Sequence, residues 1–322
     1  MTKKLALIGC GNIANFHVPA LRAVGLEIVH CASSLNSKTI SEFATAHKID
    51  NVWHDPEELI KANDQWDGIV LAAAIEPTMS LLSLAMLSGK PILVEKPVSH
   101  EVEALAKYAK TAPQNVIVAY NRRHYNTVQK ARDFVATRSA VRATMTLPDS
   151  VSKADQIPYD NVYGNSVHGL DMLHFIFGPL TIEKVVTANP DDLYFGRQAL
   201  LRSETGHLIS LSLNWGAPSN FALSIDDMKT RIDLLPFEKL QQYEGMDVIE
   251  PSDDYPVRQY VPNLVSSSSV FDSASTLIKP GFGQQSEEFA NLLAGKPATI
   301  GANLTDAYNA QALAHAIVNY AD

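Results

Sequence analysis

The stretch KLALIGCGNIA, residues 4–14, constrains the fold of this chain more than any other. A short apolar run, Leu5 to Ile8, stops at Gly9-Cys10-Gly11, and a helical pattern follows from Ile13. A strand that turns through glycines straight into a helix opens a β-α-β unit. The next hundred residues repeat the alternation. Apolar runs predict strands at Lys4–Ile8, Glu27–Ala32, Gly68–Ala73, Pro91–Val94 and Val116–Ala119. Helical patterns fall between them at Ile13–Val24, Ser37–His47, Pro56–Lys61, Met79–Ser88 and Glu101–Thr111. Near-continuous apolar strands separated by helices argue for a parallel sheet covered on both faces.

After Tyr120 the pattern changes. One helix is predicted at Thr127–Thr137, and then strands pair locally. Gln198–Ser203 and Leu208–Trp215 flank the turn signal Glu204-Thr205-Gly206-His207, and Phe221–Asp226 and Arg231–Leu235 flank Asp227-Met228-Lys229-Thr230. Ser252 to Ile278, with four serines at Ser266–Ser269, reads as an extended loop. Helices at Gly283–Ala294 and Asn303–Tyr320 close the chain. The expected fold class is α/β: a doubly wound parallel Rossmann sheet in residues 1–121, then an α+β domain in residues 122–322. That second domain holds a large open, mainly antiparallel sheet and the closing helices. An open sheet face left over after packing predicts a homodimer or homotetramer.

Charge and cysteine usage exclude several classes. A formal net charge of −9 gives nucleic acid or an anionic membrane no electrostatic attraction to the chain. The apolar run at Leu5–Ile8 is shorter than the roughly 7–15 residues of a signal core, and nothing approaches the roughly 20 of a membrane span. Two cysteines, Cys10 and Cys31, in 322 residues make no disulfide framework. The expectation is a cytoplasmic protein with reduced thiols.

The glycine loop carries specific chemistry. Gly9 permits the tight turn, Gly11 allows a pyrophosphate close to the backbone, and Ala14 in place of a third glycine still permits close helix–sheet packing. With Asn12 and Ile13 the loop presents helix N–H groups to phosphate. A chain that reads the ribose 2′-hydroxyl of NAD places an acid about 20 residues later. Here Ser33-Ser34-Leu35-Asn36-Ser37-Lys38 stands instead, with no acid before Glu42. Ser33, Ser34, Asn36 and Lys38 can accept a 2′-phosphate, which favours NADP over NAD. The same residues also suit a plain polar helix start capped by Asn36 or Ser37.

Residues 93–100, LVEKPVSH, end an apolar run on Glu95-Lys96 with Pro97 next, which holds Lys96 at a strand's end. Further on, Tyr163-Gly164-Asn165-Ser166-Val167-His168-Gly169-Leu170-Asp171 leads into an apolar helical run ending at Phe177-Gly178. Imidazole suits a proton acceptor near neutrality, so His168 is a candidate base, and Asp171 can face the same side of a helix and orient the ring. An i,i+3 pair that merely stabilises a helix fits the same spacing. His168, Asp171 and His174 drift around a helix and form no metal-ligand set, so no metal is expected.

The glycine loop, Glu95-Lys96-Pro97 and the Tyr163–Asp171 stretch together resemble the glucose–fructose oxidoreductase/inositol dehydrogenase (Gfo/Idh/MocA) family. Ala119-Tyr120-Asn121-Arg122-Arg123 is similar to the segment by which that family enters its second domain. The pattern from Phe289 through the last helix fits as well. The resemblance implies an NAD(P)-dependent oxidoreductase that moves a hydride between nicotinamide and a hydroxyl or carbonyl carbon of a sugar, cyclitol or nucleotide-linked sugar. It implies Lys96 and His168 at the reaction centre. Gly9, Gly11, Asn12, Ile13, Ser33, Ser34, Ala73, Ala74, Glu95 and Lys96 would serve the cofactor, and Arg123, Tyr163, Asn165 and Asp171 the substrate. The chain departs from the family at two points. Gly164 stands where an aspartate commonly precedes the histidine by four residues, and Met79 stands where a histidine often follows Pro77. Proton transfer then rests on Lys96 and His168, with Tyr159 or Tyr163 in reserve. Gly164 also keeps open a non-catalytic dinucleotide-binding sensor on the same fold.

Overall fold

A computed structural model describes residues 2–111, 113–148, 162–187, 196–214, 217–272 and 278–320. The chain divides into two compact units, Met1–His124 with Ala274–His315, and Tyr125–Ser273 with Ala316–Asp322.

The first unit is built on a six-stranded parallel sheet. Its strands are β1 (Lys4–Ile8), β2 (Glu27–Ala32), β3 (Asn51–Trp53), β4 (Gly68–Leu71), β5 (Ile92–Val94) and β6 (Val116–Val118), in the order β3-β2-β1-β4-β5-β6. Every residue of β4, β5 and β6 is buried, as expected of strands covered on both faces. The order reverses between β1 and β4, which run side by side from Leu5↔Gly68 to Ile8↔Leu71. In a doubly wound sheet, ligands bind above the carboxyl ends of the strands at this reversal. The helix after β4 spans Ile75–Met86 and begins four residues ahead of the Met79 expected from the pattern. Pro77 does not delay it, because a first-turn residue needs no intrahelical N–H bond.

The helix Phe282–Leu293 and the last helix as far as His315 fall in this unit rather than in the second domain expected from the sequence. Phe289 and Leu293 of helix Phe282–Leu293 join Leu5, Leu7, Val70, Leu93 and Ile117 in one core cluster. Gly68 leaves them room: a Cβ there would stand 2.7 Å from Leu293 Cδ2 and 3.3 Å from Phe289 Cζ. Ala302 extends the sheet by accepting a 2.7 Å bond from the Val118 amide at the β6 edge. Between the helices, the Glu288 carboxylate accepts from the Thr299 amide (2.8 Å), the Thr299 hydroxyl (2.7 Å) and the Ile300 amide (2.7 Å). The sequence pattern marked both helices as amphipathic but held no information on which sheet their apolar faces would cover.

The second unit carries an eight-stranded sheet in the order β14-β13-β12-β11-β7-β10-β9-β8. The strands are β7 (Arg142–Leu147), β8 (Leu180–Val186), β9 (Arg197–Ser203), β10 (Leu208–Leu213), β11 (Ala222–Asp226), β12 (Thr230–Leu234), β13 (Lys239–Ile249) and β14 (Gln259–Ser269). All neighbours are antiparallel except β7 and β10. Burial alternates along β7, β9 and β10, so one face is packed and the other is more open. Helices Asn126–Ala136 and Val167–Phe177 lie in the same unit. The stretch Ser252–Ile278, expected to be an extended loop, contains β14 at Gln259–Ser269. Ser266 to Ser269 pair with Gln242 to Lys239, so ladder bonds to β13 override a composition poor in strand formers.

Phe289→Ala is expected to destabilise the first unit by about 3–5 kcal/mol, the usual scale for emptying a large buried side chain. Urea denaturation followed by first-unit tryptophan fluorescence (Trp53, Trp66) measures it. A change below about 1 kcal/mol would detach the closing helices from this core.

Candidate active site

The first unit's site begins at Gly9. Its φ of +94° is a conformation L side chains rarely adopt, and a Cβ would run into the Ala72 carbonyl beyond β4. Its N–H bonds the Ala32 carbonyl of β2 at 2.9 Å, so the turn is pinned where β2, β1 and β4 end together. Two residues on, a Cβ at Gly11 would meet no atom within 4 Å. The protein's own packing does not demand glycine there; a close-approaching ligand does. Helix Ala14–Ala23 follows, with no side-chain cap at Ile13 and no acid in its first turn, so its N-terminus suits an anion.

A cleft of about 470 Å³ opens over these strand ends. Gly9 and Gly11 line it from β1, Ser33 and Ser34 from β2, and Ala73 and Ala74 from β4. Six residues assigned to the cofactor from sequence therefore share one cleft. Asn12 and Ile13 form the helix entry, where their carbonyls accept from Asn15 and Phe16. Two acids line the cleft too: Asp55, the cap of helix Pro56–Lys61, and Glu57. The glycine loop, the uncapped helix end and the cleft fit a dinucleotide.

Glu95 and Lys96 stand at the carboxyl end of β5. Glu95 is nearly buried; its Oε1 lies 2.7 Å from His17 Nε2, and its Oε2 accepts from the Lys96 amide at 3.1 Å. His17 is fully buried on helix Ala14–Ala23, and its Nδ1 meets no described hydrogen-bond partner. A carboxylate oxygen accepts, so the bond runs from the Nε2–H of His17 to Glu95. The Phe282 ring packs 5.0 Å from His17. Lys279 Nζ lies over Phe16 at 4.6 Å and Phe282 at 5.4 Å. Desolvation and Arg122 push the Lys279 pKa down, and Glu95 opposes them. Lys96 thus projects from a strand end whose backbone is tied through Glu95 to the helix that follows the glycine loop.

Arg123 is buried, and its Nη1 pairs with Asp306 Oδ2 at 3.2 Å, which ties the end of the first segment to the last helix. In the second unit, Val162–Ser166 form a wide helical turn that runs into helix Val167–Phe177. Tyr163, His168 and Asp171 are buried there, and Asn165 is half-buried. A Cβ at Gly164 would meet nothing within 4 Å, so packing does not exclude a side chain at that position. Tyr159 lies outside the described residues. Sequence reasoning missed His17, Asp55 and Lys279. A histidine on a helix face and an Asp-Pro helix start carry no signal of their own, and Lys279 acquires its neighbours only when the chain returns to the first sheet.

Sheet order, glycine turn and cleft define a dinucleotide-binding domain of the doubly wound type. Residues 3–122 match the model of the GFO_IDH_MocA oxidoreductase family, described by its NAD-binding Rossmann fold. The match covers the first unit's sheet and leaves the rest of the chain outside it. No curated relative matches. Among solved structures, an oxidoreductase from Thermotoga maritima is similar at 19% identity and TM-score 0.76, over 99% of this chain and 96% of that one. Myo-inositol dehydrogenase from Lactobacillus casei, in complex with NAD(H) and myo-inositol, gives 16% identity and TM-score 0.74 over 98% and 93%. Levoglucosan dehydrogenase, in complex with NADH and levoglucosan, gives 17% and 0.75 over 99% and 96%. At these identities the likeness is one of fold. Among the described residues, no helix is long and apolar enough to cross a membrane.

The two loop glycines should respond differently to alanine. Gly11→Ala is expected to leave apo stability within about 0.5 kcal/mol of wild type and to weaken dinucleotide binding by roughly 10-fold or more. Gly9→Ala should lower stability by more than about 1 kcal/mol as well, because its backbone must move. Denaturation and calorimetry on both variants check this; equal stability losses would contradict it.

Proposed function

We propose that this protein is a dehydrogenase or reductase that moves a hydride between a nicotinamide dinucleotide and a hydroxyl or carbonyl carbon of a sugar, cyclitol or nucleotide-linked sugar. The observation that carries the reading is Lys96, fixed by the His17–Glu95 pair at the same carboxyl edge of the sheet as the glycine loop. The nicotinamide, when bound, supplies the hydride acceptor or donor. This chain's residues handle the rest. The loop amides and the helix end hold the pyrophosphate. Oxidation of a secondary alcohol also needs a group to take the hydroxyl proton, and Lys96 and His168 fill that role in this reading. Myo-inositol and levoglucosan, the ligands of two proteins of the same fold, support a polyhydroxylated substrate.

A second reading, a dinucleotide-binding sensor, is favoured by Gly164, which supplies no carboxylate four residues before His168. Incubation of the purified protein with NAD or NADP and a panel of sugars, cyclitols and nucleotide sugars separates the two. A change in nicotinamide absorbance is expected for at least one substrate. Tight dinucleotide binding without turnover on any of them would favour the sensor.

The protein is also proposed to be a homo-oligomer. Val186, Leu200, Val248, Tyr260 and Leu264 are exposed on strands of the large sheet, and apolar side chains left open on a sheet favour burial against another subunit. Light scattering should give at least twice the chain mass, and a value near 35.2 kDa at micromolar concentration would contradict it.

Lys96→Ala and His168→Ala are each expected to lower turnover by on the order of 100-fold, the usual scale for an acid–base group. Dinucleotide affinity should survive in His168→Ala. Lys96→Arg should rescue poorly, since guanidinium is bulky and does not release its proton near neutrality. The double variant should lose far less than the product of the single losses. Near-wild-type turnover in His168→Ala would make that histidine structural.

A further inference from the structure

The end of β2 holds no acid, yet the cleft there is not neutral. Asp55 and Glu57 reach it from the segment after β3, the strand next to β2. Among the described lining residues there is no lysine, arginine or histidine; Lys38, the cation of the Ser33–Lys38 turn, does not line the cleft. Glu57 is partly neutralised by Lys61, whose Nζ lies 3.1 Å from its Oε2. Among the described residues, Asp55 has no such cation. Its Oδ1 accepts from the Glu57 amide at 2.8 Å and the Glu58 amide at 3.3 Å, which caps helix Pro56–Lys61 and leaves Oδ2 available.

We propose that Asp55 selects NAD over NADP, supplying from the β3 side the ribose-reading carboxylate that the β2 end lacks. A ribose 2′-hydroxyl can donate to Oδ2, which a caged cap oxygen could not accept. A 2′-phosphate has only acceptor oxygens and close to two negative charges, so it meets Asp55 with repulsion and no compensating cation in the lining. The serines at the β2 end, which favour NADP when the sequence is read alone, are compatible with either dinucleotide. Charge from the neighbouring strand decides between them. The inference rests on the dinucleotide reading above and extends it to a specificity residue.

Calorimetric titration of the full chain with NAD and with NADP, at low ionic strength so that exposed charge is not screened, tests it. Wild type should bind NAD at least about 10-fold more tightly than NADP, as expected when one ligand meets an uncompensated like charge. Asp55→Asn keeps the cap, since asparagine caps as well as aspartate, but removes the charge. It should narrow the preference by about 10-fold, mainly through tighter NADP binding. Asp55→Ser, another good cap, should do the same, and its melting temperature checks that the unit is intact. Wild type binding NADP as tightly as NAD, or both variants keeping the wild-type ratio, would overturn the role of Asp55 alone. Binding of neither dinucleotide by wild type would overturn the reading of function together with this inference.

Discussion

At Gly9 the chain must turn within a space that excludes any side chain, and the first unit is arranged around that turn. The N–H is bonded to the Ala32 carbonyl, and the α-carbon lies against the Ala72 carbonyl, so β2, β1 and β4 are held level at their carboxyl ends. The turn sets where helix Ala14–Ala23 starts, and so where its N-terminal amides point. It also sets where His17 lies, one turn into that helix. His17 then meets Glu95, and Glu95 holds the Lys96 amide. A single backbone constraint thus joins the glycine-turn end of the cleft to the backbone of Lys96. Two hydrogen bonds on one nearly buried carboxylate hold the joint in place.

The chain's return to the first sheet completes this arrangement. Phe289 and Leu293 fill the core beside Gly68, while Phe282 at the start of the same helix packs on His17. Glu288 and Asp306 fix the segment on either side of Ala302, the first through backbone amides and the second through Arg123. Residues almost three hundred positions apart in sequence therefore support one another. Arg123 takes part in this support through its pair with Asp306, a contact its neighbours in sequence do not reveal.

Much of this was legible in the sequence, for identifiable reasons. Parallel strands buried on both faces leave continuous apolar runs, and β1, β2, β4, β5 and β6 stand close to where the runs put them. The glycine loop was readable because its chemistry depends on backbone conformation at fixed spacing. Strands at Asn51–Trp53 and Leu180–Val186 were not, since three residues give no period and Leu180–Val186 carries polar residues on an exposed face. The β13–β14 hairpin was hidden because its stability lies in a ladder rather than in side-chain propensity. Asp55 could not be assigned from its neighbours in the chain, as its relation to Ser34 exists only once β2 and β3 are paired.

The central claim is that the strand ends around Gly9 form a dinucleotide site continuous with Lys96. Amide hydrogen exchange of the protein with and without saturating NADH tests it most directly, because it reports position without requiring the substrate. The account predicts slower exchange on NADH addition in the segment from Gly9 through helix Ala14–Ala23, in the Ser33–Thr39 turn and around Glu95–Lys96, with no change at the tip of the β13–β14 hairpin. Unchanged exchange in all three first-unit segments at a saturating NADH concentration would contradict it.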